Sequence, residues 1–564
     1  MSIPVSYASG PSAKPLLGMS IPEFFDGIVH QYGEREAVVS LHQSQRLTYQ
    51  QLAERVDTLA RAFIAAGFEK GDRVGIWAPN NVEWLTTQYA TAKAGIILVT
   101  INPAYRVHEL AYVLEQSGCR GLVLQNQFKT SDYEAMVCEL CPDLASCAAG
   151  NLESDKFTNL SAVISMTASH VPGIYSWNDF LPLAEAVSAE DLALRQASLD
   201  MDEAINIQYT SGTTGFPKGA TLSHHNILNN GYFVASTMNF TEQDRLVVPV
   251  PLYHCFGMVM GNLGCLTHGA CAIYPSEGFE PEAVLKAVQQ EKATALYGVP
   301  TMFIAELALP DFSKYDLATL RTGIMAGAPC PVETMKQVND LMHMTEVEIA
   351  YGMTETSPVS FQTRVDSPLD KRVSTVGSVH PHVEVKIIDA ETGRICPVGE
   401  MGELCTRGYS VMLGYWENAE ATASAIDRNG WMHTGDTAIM DADGYVNIVG
   451  RIKDMIVRGG ENVYPREIEE YLMTNDAIEA VQVTGVPDPK FGEAIIAWVS
   501  LKEGEELSEE GVKVFCKNKI AHYKVPRYVR FGDDFPMTVT GKVQKYKMRE
   551  ISVKELGLQE QHTA

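Results

Sequence analysis

The chain has 564 residues, too many for a single hydrophobic core, so two or more domains are expected. Hydrophobic residues make up 46% and charged residues 20%, a globular balance, and no apolar run approaches the roughly 18 residues of a membrane-spanning helix. The net charge of −26 argues against nucleic acid or an anionic membrane surface as the main partner, and any anionic ligand must be held by a local cluster of donors.

Taken in order, residues Met1–Ser20 carry one Lys and no apolar stretch, so neither a signal peptide nor an Arg-rich transit peptide is read. Thr48–Gly67 predicts a helix: Thr48 and Gln51 form a capping box, Leu52, Val56, Leu59, Phe63 and Ile64 share one face, and Gly67 ends it. Gly71-Asp72 turns into a strand over Arg73–Ala78. A helix around Trp84–Ala94, a strand at Ile96–Thr100, a helix near Leu110–Ser117 and a strand at Gly121–Gln125 follow. Strands alternating with helices through short turns predict a parallel sheet layered by helices. Residues 126–200 are less regular and read as an insertion. The α/β rhythm resumes to about 350, and beyond 375 it gives way to short strands at Val383–Asp389, Gly402–Arg407 and Gly444–Val449. After Gly450–Met455 the chain reads as a compact α+β unit. The expected organisation is a large N-terminal domain, 1–449, with layered parallel sheets and a β-rich portion, a hinge at 450–455, and a small mobile α+β domain, 456–564.

The eleven cysteines are scattered, which suits a reducing compartment and points to the cytoplasm. Cys138 and Cys141 form a C-x-x-C with no second pair, so metal or redox use is not the leading reading. Asp441-Ala442-Asp443-Gly444 lacks the twelfth-position acid of a calcium loop and reads as a hairpin turn.

The most informative stretch runs from Tyr209 to Ala220. It holds Thr210, Ser211, Gly212, Thr213, Thr214 and Gly215, then Lys218 and Gly219. Glycines free backbone N–H groups to face an anion, hydroxyls add short donors, and Lys218 supplies a point charge, which together suit a polyphosphate. It is not a Walker A loop, since Pro217 and Gly219 stand where that motif needs Gly and Ser or Thr. Ser223, with Asn226 three residues on, predicts the cap of the next helix. Tyr351-Gly352-Met353-Thr354-Glu355 follows an apolar strand end, where α/β sheets bind ligands; a carboxylate there can hold Mg²⁺ against phosphate oxygens. Thr434-Gly435-Asp436 offers a carboxylate that can accept from both hydroxyls of a ribose.

These motifs, in this order, resemble the adenylate-forming superfamily of acyl-CoA synthetases, luciferases and peptide-synthetase adenylation domains, over essentially the whole chain. The resemblance implies that residues 210–219 grip the β- and γ-phosphates and that Gly327, Ala328 and Pro329 lie on the adenine side. Tyr351, Gly352 and Thr354 would contact the nucleotide, Glu355 would carry Mg²⁺, and Asp436 and Arg451 would hold the ribose. Lys453 falls at the family's hinge. Arg458, Gly459 and Gly460 resemble the CoA loop, and Lys542, in Thr540-Gly541-Lys542, resembles the lysine that reaches the transferring phosphate. His254, Phe256 and Gly257 lie in a segment resembling the acid site, with Gly231–Ala235 and Leu296–Phe303 as further walls. Asn102-Pro103-Ala104-Tyr105-Arg106 and Phe128-Lys129-Thr130 look closest to the medium-chain fatty acyl-CoA synthetases. The implied reaction uses ATP, Mg²⁺ and CoA: acyl-adenylate and pyrophosphate form first, and transfer to CoA then releases AMP. The partners are small molecules, with no nucleic acid and no transmembrane segment; peripheral membrane contact stays open. Delivery to a carrier protein, a luciferase-like oxygenase and a non-catalytic nucleotide binder remain alternatives, although Glu355, Asp436 and Lys542 are all present.

Overall fold

The structure, a computed structural model, describes residues 4–210, 217–328, 330–458, 461–517, 519–537 and 543–558. It divides into two compact units, one of Ser9–Glu384 with Thr406–Met432, the other of Met1–Ala8, Val385–Cys405 and His433–Ala564.

The larger unit is built on two sheets. In the first, of eight strands, the order is Ile174–Ser176, Ala162–Ser165, Gly121–Leu124, Arg73–Trp77, Ile97–Thr100, Ala204–Thr210, Lys218–Ser223 and Gly414–Tyr415. It is parallel as far as Ala204–Thr210, and the last two strands run antiparallel. The second sheet has nine strands, with a parallel middle formed by Glu36–Ser40, Cys271–Tyr274, Arg245–Val247, Ala295–Gly298, Thr322–Ala326 and Glu346–Gly352. These strands are mostly buried, with apolar residues on both faces, because both faces of the sheet are covered.

Local signals placed the helices well. Helix Tyr49–Ala65 starts at the predicted capping box: the Gln51 N–H donates to Thr48 Oγ1 at 3.2 Å, and the Thr48 N–H donates to Gln51 Oε1 at 2.9 Å. Leu52, Val56, Leu59 and Phe63 are buried, and Gly67 turns the chain with φ +85°. Helix Val82–Ala94 is buried on every side except at Glu83, so it shows no apolar stripe. It lies against the first sheet and holds, through Gln88 and Tyr89, the segment around Met258 and Asn262. Residues 126–200 correct the expected insertion, because Ala162–Ser165 and Ile174–Ser176 extend the first sheet. Strands of four and three residues are too short to show alternation.

In the smaller unit, strands Met432–Met440 and Val446–Arg451 form an antiparallel ladder joined by the predicted turn, in which Asp441 Oδ1 accepts from the N–H groups of Asp443 and Tyr445, both at 2.9 Å. The C-terminal part is α+β. The hairpin of Ile478–Asp488 and Gly492–Leu501 carries Ile456–Arg458 and Tyr528–Phe531 beside it. Helices Pro465–Leu472 and Glu509–Cys516 close its core through Ile468, Leu472, Val512 and Cys516. The division by contacts falls within the β-rich portion, upstream of Gly450–Met455.

Candidate active site

The strands flanking the glycine–hydroxyl stretch pair antiparallel, with Thr210 paired to Lys218, Tyr209 to Gly219 and Gln208 to Ala220. Ser211, Gly212, Thr213, Thr214 and Gly215 lie outside the described residues, so only the base of the loop is seen. That base is fixed from several sides. Thr210 Oγ1 donates to Lys218 O at 3.4 Å, the Tyr112 hydroxyl donates to Pro217 O at 2.9 Å, and the Tyr209 hydroxyl donates to Gln116. Helix His224–Thr237 follows, capped as predicted: Ser223 Oγ accepts the Asn226 N–H at 3.1 Å, and Asn226 Oδ1 accepts the Ser223 N–H at 2.8 Å.

Segment 412–416 ties this hairpin to the Tyr351–Glu355 motif. The Trp416 N–H donates to Gly219 O at 2.7 Å and the Leu413 N–H to Thr221 O at 2.9 Å, while the Met412 N–H donates to Glu355 O at 2.9 Å. The Tyr415 side chain joins the same two motifs. Its ring centroid lies 5.1 Å from Lys218 Nζ, and its hydroxyl donates to Glu355 Oε1 at 2.8 Å. Burial, then the neighbouring Glu355 carboxylate, pushes the Tyr415 hydroxyl far above its ordinary pKa, so it stays a proton donor. Sequence reasoning missed Tyr415, which stands 60 residues from Glu355, beyond any local pattern.

Thr354 and Glu355 are buried at 8% and 6% exposure and sit in the 3₁₀ turn Thr354–Thr356 after strand Glu346–Gly352. The turn is pinned by Thr356 Oγ1 donating to Pro358 O at 2.7 Å. Gly352 cannot be replaced without movement, since a Cβ there would lie 1.7 Å from Pro358 O. Tyr351 stands edge-on to Phe361 with ring centroids 6.0 Å apart. Gly327, with φ +88°, and Ala328 leave the end of strand Thr322–Ala326; Pro329 lies outside the described residues.

The segment expected to line the acid site winds as a π-helix over Phe256–Leu263, buried throughout. His254 Nδ1 accepts the Phe256 N–H at 3.1 Å, and a Cβ on Gly257 would meet Pro251 O at 2.4 Å. Phe256 packs on Tyr297 with ring centroids 5.3 Å apart. Gln208, two residues before Thr210, donates to Met258 Sδ at 3.0 Å and so links strand Ala204–Thr210 to this segment. No local signal marked Gln208, which lies on a buried strand at 2% exposure. Gly231 belongs to helix His224–Thr237, where a Cβ would lie 3.0 Å from Leu263 Cβ and from Val259 O.

In the smaller unit Asp436 and Arg451 are cross-strand partners, with Arg451 Nε donating to Asp436 Oδ1 at 3.0 Å. Thr434 Oγ1 accepts the Asp436 N–H at 3.1 Å and donates to Leu404 O at 2.7 Å, which shapes the turn before the carboxylate. Lys453 is exposed in the turn Ile452–Asp454. Arg458 donates to Tyr523 O at 2.7 Å and lies 5.5 Å from the Phe491 ring centroid. Gly459, Gly460 and Lys542 lie outside the described residues.

The family model of AMP-binding enzymes matches residues 25–416, and that of the AMP-binding enzyme C-terminal domain matches residues 467–542. This chain belongs to the AMP-binding enzyme family. It is 49% identical to YngI of Bacillus subtilis (strain 168), provisionally named an acyl-CoA synthetase, over 96% of this chain and 99% of that protein. It is 44% identical to the mitochondrial medium-chain acyl-CoA ligase ACSF2 of Danio rerio, over 99% of this chain and 92% of that protein. The crystal structure of ATP-bound MatB from Rhodopseudomonas palustris superposes with a TM-score of 0.81 at 29% identity, covering 95% of this chain and 100% of that one. Among the described residues, no helix is long and apolar enough to cross a membrane.

Proposed function

We propose that this protein is an AMP-forming acyl-CoA synthetase that acts on medium-chain fatty acids. The observation that carries the reading is the junction at Tyr415, where the cradle lysine Lys218 and the carboxylate of Glu355 meet through one side chain. A cation suited to phosphate and a buried carboxylate suited to a metal ion thereby share one half-buried neighbour, which supports polyphosphate chemistry there.

A carboxylate is a poor electrophile because resonance and charge protect its carbon. In the proposed first step its oxygen attacks the α-phosphorus, the bond to pyrophosphate breaks, and an acyl-adenylate forms. The 210–219 hairpin holds the β- and γ-phosphates, Thr354 and Tyr351 hold the nucleotide, and Gly327, Ala328 and Pro329 face its adenine. Asp436 and Arg451 hold the ribose, and Lys542 stabilises charge at the reacting oxygens. Glu355 fits Mg²⁺ on its chemistry: Tyr415 holds one carboxylate oxygen, and Mg²⁺ takes few protein oxygens beside phosphates. When bound, Mg²⁺ would neutralise phosphate charge. In the second step the CoA sulfur attacks the acyl carbon, loses its proton, and AMP leaves. Rotation of the C-terminal domain at Lys453 within 450–455 would withdraw Lys542 and bring Arg458, Gly459 and Gly460 to the pantetheine arm.

The acid pocket would be formed by His254, Phe256 and Gly257 with Tyr297. Its apolar lining and the name of the ACSF2 relative support a medium-chain acid. The eleven scattered cysteines, with no spacing that marks a disulfide framework, support a cytoplasmic location.

The acyl-CoA product should be measured across acids of rising chain length at saturating ATP and CoA. The reading expects kcat/KM to peak at medium chains. A peak at aromatic or dicarboxylic acids would overturn it. Tyr415→Phe keeps the ring over Lys218 and removes one hydrogen bond, worth about 0.5–1.5 kcal/mol. Adenylation should slow roughly 2- to 10-fold, as read by pyrophosphate release.

A further inference from the structure

We propose that Glu403, Cys405 and His433 form a binding site for a thiophilic divalent cation, Zn²⁺ above all, separate from the Mg²⁺ of the ATP reaction. Glu403 and Cys405 are two residues apart on strand Met401–Gly408 and therefore share a face; His433 lies on the neighbouring strand, Met432–Met440. His433 Nδ1 is 2.9 Å from Glu403 Oε2 and 3.7 Å from Cys405 Sγ, and the three ligand atoms lie within 4.8 Å of one another.

These distances can be set against a tetrahedral zinc centre. Zinc bonds of about 2.0–2.1 Å to N and O and about 2.3 Å to S put N and O roughly 3.3 Å apart, and N and S roughly 3.6 Å apart. The two distances to His433 Nδ1 therefore match a zinc centre within a few tenths of an ångström, the carboxylate and sulfur, within 4.8 Å of each other, can close on the ion by side-chain rotation, and a fourth position is left for water. Among the described residues this is the cluster of His, Cys, Asp and Glu with metal-binding spacing. Its support is already in place, because Glu403 Oε1 accepts the Gly435 N–H at 3.3 Å, which orients the carboxylate. Cys405 is fully buried, while the side chains of Glu403 and His433 are 13% and 31% exposed, giving the ion a way in.

The same geometry argues against a nucleophilic triad. Carboxylate and thiol both face Nδ1, so the ring cannot take a proton from sulfur at one nitrogen while the carboxylate orients the other. Without an ion, the imidazole Nδ1–H donates to the carboxylate. On binding, the ring proton would pass from Nδ1 to Nε2 and the thiol proton would leave to solvent, so affinity would rise with pH. The thiolate and imidazole select Zn²⁺ over Mg²⁺, and the Mg²⁺ needed with ATP would not compete.

The test uses the full chain, stripped by a chelator and free of nucleotide, titrated with Co²⁺. The expected result is a near-ultraviolet thiolate-to-cobalt band that saturates at one ion per chain, bleaches when Zn²⁺ is added, and is lost in Cys405→Ser. The band should persist in the double variant Cys138→Ser, Cys141→Ser, which removes the competing thiol pair. His433→Gln supplies a second variant should Cys405→Ser fail to fold, and it should also lose the band. Absence of a band in the parent protein, or a band that survives Cys405→Ser or His433→Gln, overturns the proposal.

Discussion

Glu355→Gln should cut acyl-adenylate formation by about 10²- to 10³-fold, the size seen when one preorganised charge-stabilising group is removed from a transition state. The substitution keeps the side chain's volume and an oxygen that can still accept from the Tyr415 hydroxyl, so the turn Thr354–Thr356 should hold its shape. The variant loses the negative charge that would hold Mg²⁺ against the phosphates. Two readings separate this role from a structural one. The thermal transition should move little, and raised Mg²⁺ should restore part of the lost rate. A collapse of thermal stability without Mg²⁺ rescue would make Glu355 a buried structural acid instead.

Lys542→Ala should have an effect of similar size, confined to one half of the reaction. Pyrophosphate release from ATP and acid should fall by about 10²- to 10³-fold, because a cation aimed at the developing charge is lost. Thioester formation from pre-made acyl-adenylate and CoA should stay within a few-fold of the parent, since the proposed rotation at Lys453 takes this lysine away before the thiol attacks. Equal loss in both half-reactions would contradict the division of labour. Comparing the two variants is itself informative, because Glu355 belongs to the larger unit whereas Lys542 follows the proposed hinge in the sequence.

Much of this was legible in the sequence because the signals are local. The capping box at Thr48 and the helix cap at Ser223 are written within three residues, and both were found; at Ser223 the Asn226 side chain completes a box as well. The turn at Asp441 was readable from the geometry of a short acidic loop. The motifs around Lys218, Glu355 and Asp436 could be recognised because each packs its chemistry into a few consecutive positions.

What stayed hidden depends on contacts between distant segments. Tyr415 joins Lys218 to Glu355 only after the strand Gly414–Tyr415 pairs with Lys218–Ser223, and nothing near Tyr415 announces that pairing. Gln208 is one polar residue on a buried strand, and its link to Met258 exists only in three dimensions. The π-helix Phe256–Leu263 follows no readable apolar period, since it is buried on every side and held by Gln88 and Tyr89 from another helix. Strand Ala162–Ser165 is four residues long, too short to declare its period against the surrounding loops.

The most direct measurement follows ATP, a medium-chain fatty acid and Mg²⁺ with the purified protein, first without CoA and then with it. Without CoA, acid-dependent pyrophosphate should appear to about one equivalent per enzyme as acyl-adenylate accumulates. With CoA, turnover should become continuous and yield AMP and acyl-CoA in equal amounts. Release of ADP and phosphate, or pyrophosphate that does not depend on the acid, would contradict the account.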